Sequence, residues 1–507
     1  MAGLSEKVYL CLSMPTDEDS RSDQVRITQA LQALGYTNIT FSLPALQGLY
    51  PLCRNSDYKI TVLLVKRELD WIVTGVQAGD TTAAHYGLAV DYGSTTIVMQ
   101  LVDQVTGNVI AEEKTVNRQV QYGTDILTRI TYVMEDPARS ADLHRATADT
   151  FQSLISVLTE KTGIDCKTLP AMVISGNTTM IHFLLKLDAW TVFASPYAPV
   201  CNAPGFRLGA ELGLDFDGIV YLMPAASNYI GGDITSGLLQ LQIHNSDKTC
   251  LFFDIGTNGE LVIGNKEWMM AGAGAAGPAL EGYISQFGMR AADGAIDHVK
   301  ISGQELTYTT IGNKPPVGIC GSGIIDLLAQ MRLNGWIDMA GDLNPEASAN
   351  IRKIDGQWVA LYAETIDGQP LYFSQSDIAQ YLDTKAAAYT MVECLLDMVG
   401  ATMNDIDTLY LSGAFPAHSD LEAAITIGIF PDIPREKYRC IPNTSLDGAR
   451  LLLTDRTMLT QVNMLSEELH CVQFASVPDF IIRMQAAKFI PHTDMDLYPT
   501  IRDRLKE

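Results

Sequence analysis

Two short stretches of this chain share one pattern: Val90-Asp91-Tyr92-Gly93-Ser94-Thr95-Thr96 and Phe253-Asp254-Ile255-Gly256-Thr257-Asn258-Gly259-Glu260. Each follows an apolar run, carries an Asp, reaches a Gly two residues later and resumes as a strand. This pattern predicts a β-hairpin whose tight turn offers backbone N–H groups to a phosphate. An Asp at the end of the first strand can hold Mg²⁺, usually through water. Two such hairpins facing each other would bind the phosphates of ATP from both sides.

The size and composition of the chain are those of a globular protein with several domains. It has 507 residues, of which 47% are hydrophobic and 19% are charged. The net charge of −24 argues against binding to nucleic acid or to an anionic membrane, because both require clustered Lys and Arg. The chain has no run of about 18 apolar residues, so no membrane-spanning helix is expected.

The cysteines indicate a reducing compartment. Free thiols and a cytoplasmic location are expected, because no two cysteines form a CxxC or CxxxC pair. Iron–sulfur sites usually have closely spaced cysteines, so no cluster is expected in this chain. The eight histidines show no HxH or HxxxH spacing, which leaves a His-based metal site without support. The nine cysteines are Cys11, Cys53, Cys166, Cys201, Cys250, Cys320, Cys394, Cys440 and Cys471.

The order of predicted elements divides the chain into three parts. Residues 1–86 are predicted to form a small α+β domain. Residues 87–246 and 247–507 each show the order βββαβαβα and open with one of the two hairpins, and insertions near 272–317 and 340–400 interrupt the second copy. The sequence therefore predicts an α/β fold of two ribonuclease-H-like (actin/Hsp70-like) lobes around a nucleotide cleft, plus the small N-terminal domain. Two ordinary α/β domains with unrelated Asp-Gly turns are the alternative.

The candidate catalytic residues are acidic or amide side chains next to the predicted turns. Asp91 and Asp254 are the candidates for holding Mg²⁺ and for catalysis, because a divalent cation would offset their mutual repulsion. For either Asp alone, capping of its own turn is an equal alternative. Asn177 opens a helix after a strand and is a candidate for positioning the attacking water, with an N-cap role as the alternative. Glu260 is a candidate general base or hydrogen-bond anchor, and surface exposure is its alternative.

The candidate nucleotide-binding residues lie at predicted turns and helix starts. Glycine at such positions permits a positive φ and the close approach of an oxyanion. For any single glycine, a turn without a ligand is the alternative. The predicted set is Gly93, Ser94, Thr95, Thr96, Gly176, Thr178, Gly232, Asp233, Gly256, Thr257, Asn258, Gly259, Gly321 and Ser322.

The element order and the paired hairpins resemble the actin, Hsp70 and sugar-kinase superfamily of ATP-binding proteins. Within it, seven motifs in one order resemble the reductive activators of corrinoid proteins. The resemblance implies that Gly413, Ala414 and Phe415 lie against the adenosine of ATP. The motifs lie at residues 175–180, 231–234, 254–260, 276–282, 288–292, 318–323 and 411–415.

This resemblance implies a function. Such activators use ATP to restore the Co(I) state of a corrinoid protein in a methyltransferase system, which implies a corrinoid protein as partner and a homodimer as the assembly. Family members typically carry their own iron–sulfur cluster, and this chain departs from that pattern, so a separate low-potential electron donor is expected. Two alternatives stay open: a small-molecule kinase of the same superfamily, and a non-redox ATP-binding regulatory protein.

Overall fold

The structure is a computed structural model that describes residues 2–256, 258–274, 285–413 and 419–506. Three predicted nucleotide-binding residues, Thr257, Ala414 and Phe415, and the motif at 276–282 lie outside the described residues. The chain forms two compact units, Met1–Gln242 with Thr444–Glu468, and Ile243–Asn443 with Leu469–Glu507.

The first unit begins with a small four-stranded sheet covered by two helices. Its elements are β1 (Ser5–Cys11), α1 (Asp23–Ala33), β2 (Ile39–Phe41), α2 (Leu43–Asn55), β3 (Lys59–Lys66) and β4 (Trp71–Ala78), and the strand order is β1-β3-β4-β2. Each helix starts where a serine, Ser22 or Ser42, accepts a hydrogen bond from a backbone N–H of the first turn. Ile27 and Cys53 from the helices and Ile60 from β3 are fully buried in one core.

The same unit contains a six-stranded sheet with the order β7-β6-β5-β8-β10-β9. The first three strands are antiparallel, and β5, β8 and β10 are parallel. Strand β8 is completely buried, as expected for a central strand covered on both faces. The elements are β5 (Tyr86–Tyr92), β6 (Thr96–Asp103), β7 (Val109–Val116), α3 (Ile126–Glu135), α4 (Ser140–Thr162), β8 (Ala171–Ser175), α5 (Thr178–Leu185), α6 (Trp190–Phe193), β9 (Gly205–Leu208), β10 (Ile219–Leu222) and α7 (Gly232–Leu241).

Two helices from late in the sequence belong to this first unit. They are α11 (Thr444–Thr454) and α12 (Met458–Glu468). Helix α11 packs on β5, β8 and α7, and its contact with α7 is so close that a Cβ on Gly448 would lie 2.0 Å from the carbonyl oxygen of Ser236. The predicted three-part division assigns α11 and α12 to the part 247–507, whereas the compact units group them with the earlier residues.

The second unit repeats the arrangement of strands. Its largest sheet has the order β21-β20-β11-β12-β13-β22. The strands β11, β12, β13, β20 and β21 therefore lie in the same relative order as β5, β6, β7, β8 and β10 of the first unit. The elements of this repeat are β11 (Cys250–Ile255), β12 (Gly259–Gly264), β13 (Met269–Gly274), α8 (Gly321–Leu333), β20 (Thr408–Ser412), α10 (Leu421–Ile427), β21 (Tyr438–Ile441) and β22 (His470–Val472). This duplication of one sheet order confirms the predicted actin-like α/β fold class.

Two small three-stranded sheets and three further helices complete the second unit. The first sheet contains β14 (Ala295–Ser302), β15 (Glu305–Thr310) and β16 (Gly318–Ile319), and the second contains β17 (Ile351–Ile354), β18 (Gln357–Glu364) and β19 (Pro370–Ser374). The helices are α9 (Gln375–Met398), α13 (Phe480–Ala487) and α14 (Pro499–Arg504). Ser374 and Asp377 form a capping box that starts α9 at the end of β19.

Within the described ranges, no helix combines the length and the apolar character needed to cross a bilayer. All nine cysteines are free thiols.

Candidate functional site

Strand β5 carries Asp91 next to the turn that leads into β6. In register, Asp91 pairs with Val98 of β6 on one side and with Ser175, the last residue of β8, on the other. Ser175 is fully buried, and Asp91 is half-buried. The carboxylate therefore lies at the C-terminal edge of two parallel strands, where open α/β sheets usually bind ligands.

A residue from far along the chain contacts this carboxylate. Ser445, the second residue of α11, donates a hydrogen bond from Oγ to Oδ1 of Asp91 at 2.8 Å, and its Oγ lies 2.9 Å from Oγ of Ser175. Ser175 donates to the carbonyl oxygen of Gly232 at 3.0 Å. Asp91, Ser175, Ser445 and Asp233 are called the Asp91 cluster below.

Asp233 brings a second carboxylate to this cluster from the first turn of α7. Burial and, after it, the negative charge of Asp91 raise the pKa of Asp233 to about 7. Two carboxylates whose charges interact in this way favour a cation between or beside them. Gly231, two residues before Asp233, allows the start of α7 to lie close to Asn177, because a Cβ on Gly231 would lie 2.6 Å from Cα of Asn177.

The predicted residues Gly176, Asn177 and Gly232 come together beside Asp91. A Cβ on Gly176 would lie 2.8 Å from the carbonyl oxygen of Tyr92, and a Cβ on Gly232 would lie 3.1 Å from that of Gly176. Asn177 is the N-cap of α5, because its Oδ1 accepts a hydrogen bond at 3.0 Å from the backbone N–H of Met180, the third residue of the helix. The alternative weighed for Asn177 is thus present in the structure. Its proposed contact with water stays a prediction.

Thr178 has a structural contact rather than a free hydroxyl. Its Oγ1 donates to the carbonyl oxygen of Ser227 at 3.0 Å, and the residue is buried. This bond ties the start of α5 to the loop that precedes α7. The backbone N–H of Thr178 is the part of the residue that a phosphate would use.

The turn over residues 93–96 is held by Asn117. The side chain of Asn117 donates to the carbonyl oxygen of Gly93 at 3.0 Å. The backbone N–H of Asn117 donates to the carbonyl oxygen of Thr95 at 2.8 Å. Gly93 is required for a reason other than the expected positive φ, since a Cβ would lie 2.4 Å from the carbonyl oxygen of Thr96. Ser94, between them, is buried. Two hydrogen bonds from Asn117 therefore hold the conformation of this turn.

The second unit has an equivalent row of polar residues across three strands. Asp254 of β11 pairs in register with Ser412 of β20 and with Glu260 of β12. Glu260 is only 7% exposed, which excludes the surface role considered for it. Carboxylates directly opposite each other on neighbouring strands destabilise a sheet unless a cation or a donor lies close to both. The Asp–Ser pairing repeats that of Asp91 with Ser175.

The hairpin of the second unit is tight. The backbone N–H of Gly256 donates to the carbonyl oxygen of Asn258 at 3.0 Å, and Gly259 pairs with Ile255. Gly413, directly after Ser412, has φ +105°. A Cβ on Gly413 would lie 2.1 Å from the carbonyl oxygen of Ile255, so the residue must be glycine.

Gly321 and Ser322 form the first turn of α8, which packs on β14. The next residue, Gly323, allows this packing, because a Cβ there would lie 2.4 Å from the carbonyl oxygen of Ile296. Ser322 is 8% exposed, and its Oγ lies 3.3 Å from Sγ of Cys320. A structural role for this turn is thus established, and its contact with a nucleotide stays a prediction.

The sequence patterns did not single out Ser175, Ser412 and Ser445 as individual site residues. For the first two, the signal is in the sequence, since each is the last strand residue before a glycine at the matching point of the repeat. Ser445 carries only a weak signal, a run of polar residues at the start of a helix, and its contact with Asp91 spans 354 residues of sequence.

Family models match almost the whole chain. The C-terminal domain of RACo, the ASKHA domain, matches residues 248–502; the RACo middle region matches 86–246; and the RACo linker region matches 1–83.

Individual proteins agree with these models. A solved structure of a reductive activator for corrinoid, iron–sulfur protein shares 35% sequence identity and a TM-score of 0.87, over 99% of this chain and 81% of that chain. The corrinoid activation enzyme RamQ of Eubacterium limosum is 29% identical over 81% of this chain and 71% of its own length. The [Co(II) methylated amine-specific corrinoid protein] reductase of Methanosarcina barkeri is 25% identical over 48% of this chain and 46% of its own length.

Proposed function

The chain belongs to the family of reductive activators of corrinoid proteins, and from that premise we propose that it uses ATP to restore the Co(I) state of a corrinoid protein in a methyltransferase system. One electron from a donor reduces Co(II) to Co(I), and ATP is hydrolysed to ADP and phosphate. The observation that carries the ATP part is the repeated Asp–Ser pair, Asp91 with Ser175 and Asp254 with Ser412, each beside a tight hairpin. Hairpins of this kind offer backbone donors to phosphates.

The donor atoms of the Asp91 cluster fit Mg²⁺. In nucleotide sites this ion binds one or two carboxylates and completes its shell with water and phosphate oxygens. Asp91 and Asp233 supply the two carboxylates in the first unit, and we propose Asp254 for the same purpose in the second. When bound, Mg²⁺ neutralises charge on the phosphates. The described residues contain no group of three or more His, Cys, Asp and Glu positioned for a metal, which a site of this kind does not need.

The chain's own residues would prepare the reaction. Ser445 orients Asp91 through its hydrogen bond, and the first turns of α5 and α7 direct backbone N–H groups toward the phosphates. Glu260, which is buried opposite Asp254, keeps its proposed role as a general base or hydrogen-bond anchor. The predicted glycines, hydroxyls and Asn258 keep their proposed roles as nucleotide contacts.

We propose a separate low-potential electron donor, because iron–sulfur clusters usually need closely spaced cysteines and this chain has none. Free thiols are typical of a reducing compartment, which supports a cytoplasmic location. A homodimer is proposed from the family resemblance alone.

The test is a reduction assay. The purified chain is mixed with titanium(III) citrate as one-electron donor, MgATP and a Co(II) corrinoid protein of a methyltransferase system, and the Co(I) absorption band is followed. Co(I) is expected with ATP and not with ADP. If the band fails to form with MgATP across several corrinoid proteins and low-potential donors, the proposed function is wrong.

Ser445→Ala tests the link between α11 and the site. Removing one hydrogen bond to a charged group corresponds to about 1.5–3 kcal/mol, so we expect a drop of about tenfold or more in kcat/KM for ATP hydrolysis. The Mg²⁺ concentration for half-maximal rate should also rise, which a purely structural role would not produce. Ser466→Ala is the matched control. The hydroxyl of Ser466 donates to the carbonyl oxygen of Asn463 in the same helix, α12, and not to the cluster. Equal rates for both variants would contradict the role of Ser445.

A further inference from the structure

The first unit exposes an aromatic surface beside the loops of the Asp91 cluster. We define it by Trp190, Phe193, Tyr197, Val200 and Tyr229. Trp190, Tyr197 and Val200 are 44%, 38% and 55% exposed. Two of the rings pack on that of Tyr229, with centroids 5.5 Å apart for Phe193 and Tyr229 and 6.2 Å for Tyr197 and Tyr229. Exposed, mutually supported aromatic rings are typical of residues that dominate binding energy at protein interfaces.

Four of the five residues of this aromatic surface lie in an uncharged stretch of an otherwise acidic chain. Residues 189–206 contain no Asp, Glu, Lys, Arg or His, although the chain carries a net charge of −24. The nearest charged residues in sequence, Asp188 and Arg207, are exposed at the two ends of this stretch. An uncharged aromatic centre between charged ends is the arrangement expected of a docking surface.

Hydrogen bonds connect the aromatic surface to the elements that carry the Asp91 cluster. The buried side chain of Asn228 donates to the carbonyl oxygen of Val192 at 3.1 Å. The backbone N–H of Ala225 donates to the carbonyl oxygen of Asn202 at 2.8 Å. The loop 225–230 leads directly into α7 and Asp233, and Ser227 in the same loop accepts the hydrogen bond from Thr178 of α5. A protein seated on this surface would therefore contact the loops that hold the site.

Another exposed apolar face is less suited to this role. On α2, Leu43 and Tyr50 are 64% and 66% exposed. However, the guanidinium of Arg54 lies 4.1 Å from the ring centroid of Tyr50 and pairs with Asp23, so this face carries charge. It belongs to the small N-terminal sheet and not to the elements of the cluster.

We propose that the aromatic surface docks the corrinoid-bearing face of the partner protein. This inference rests on the proposed function and names where that partner binds. The rim of a corrin ring carries amide groups without net charge, and the ring itself is broad and largely apolar. Such a face complements uncharged aromatic rings with hydroxyl and indole donors, and it avoids burying any of the chain's many carboxylates.

The experiment measures the dissociation constant for a Co(II) corrinoid protein by calorimetry, with and without its corrinoid. The variant Trp190→Ser with Tyr197→Ser should weaken binding of the corrinoid-loaded partner at least tenfold. Its ATP hydrolysis without partner should stay within twofold of wild type, because neither side chain lies in the Asp91 cluster. Leu43→Ser with Tyr50→Ser is the matched control and should bind the loaded partner as wild type does.

The outcomes separate this inference from the proposed function. If the wild-type chain reduces and binds the loaded partner but the Trp190 and Tyr197 variant binds equally well, the docking surface is wrong and the function stands. If the corrinoid-free partner binds as tightly as the loaded one, the corrinoid-bearing face is not the occupant, which also overturns the inference. If the wild-type chain neither reduces nor binds any corrinoid protein, the proposed function fails first.

Discussion

Asp91→Asn is expected to lower the rate of ATP hydrolysis at least 100-fold. The substitution keeps the size of the side chain and the oxygen that accepts the hydrogen bond from Ser445, but it removes the negative charge. The Asp91 carboxylate is proposed to position the Mg²⁺ that neutralises negative charge on the phosphates. Loss of such an interaction corresponds to about 3 kcal/mol or more of transition-state stabilisation. Asp254→Asn, at the matching position of the second sheet, is expected to have an effect of the same order. Steady-state hydrolysis at saturating Mg²⁺ measures both.

Asp103→Asn provides the control for Asp91→Asn. Asp103 ends β6, the strand that pairs with β5, and its Oδ1 caps the turn at the other end of the same sheet by accepting from the backbone N–H of Val105 at 2.8 Å. Hydrolysis by this variant should stay within twofold of wild type. The role of Asp91 would be contradicted if Asp91→Asn, with an unchanged melting temperature, kept more than half of the wild-type rate.

The hairpins could be predicted from sequence because their cause is local. A strand, an Asp, a glycine and a second strand lie within a few residues, and only a narrow choice of turns joins them. The repetition of this pattern at matching points of two element orders then predicted the duplicated sheet. Glu260 lies directly opposite Asp254 in this register, but its burial did not follow from the local sequence.

Contacts between distant parts of the sequence could not be predicted in this way. The predicted order βββαβαβα of the second copy ends in a helix, but nothing local states that α11 packs on β5 and brings Ser445 to Asp91. The contact that requires a glycine at a given position could also not be predicted from the sequence. Gly323 is required by the carbonyl oxygen of Ile296 in an inserted strand, a contact that exists only after folding.

One buried basic side chain outside the site ties the C-terminal segment of the second unit to its core. Lys385 of α9 is fully buried. Its Nζ donates to the carbonyl oxygens of Ala487 at 2.5 Å and Phe489 at 2.7 Å, and also to that of Pro491. No other donor is described for these three oxygens, so Nζ of Lys385 is the donor for each of them.

Lys385→Met is therefore expected to destabilise the segment 487–501 by about 3 kcal/mol at pH 7, because each buried acceptor left without a donor costs about 1–3 kcal/mol and the lost burial of a charge offsets part of this. Amide hydrogen exchange of these residues measures the free energy of opening.

The effect should grow with pH. Burial lowers the pKa of Lys385 to about 7, below its value of about 10.4 in an unfolded chain. Between these values the unfolded state binds more protons than the folded state, so the wild-type stability from this group rises as the pH increases. The variant lacks the group and this rise. The difference in opening free energy between wild type and variant should therefore be about 2 kcal/mol larger at pH 9 than at pH 7.

Lys488→Met is the matched control, since Lys488 lies in the same segment but its ammonium forms a surface ion pair with Asp383. Such pairs contribute about 0–1 kcal/mol, so exchange in the control should change little and without the added pH dependence. Equal protection in the Lys385 and Lys488 variants at both pH values would mean that the three carbonyl oxygens find other donors. Lys385 would then not be the residue that holds the C-terminal segment in place.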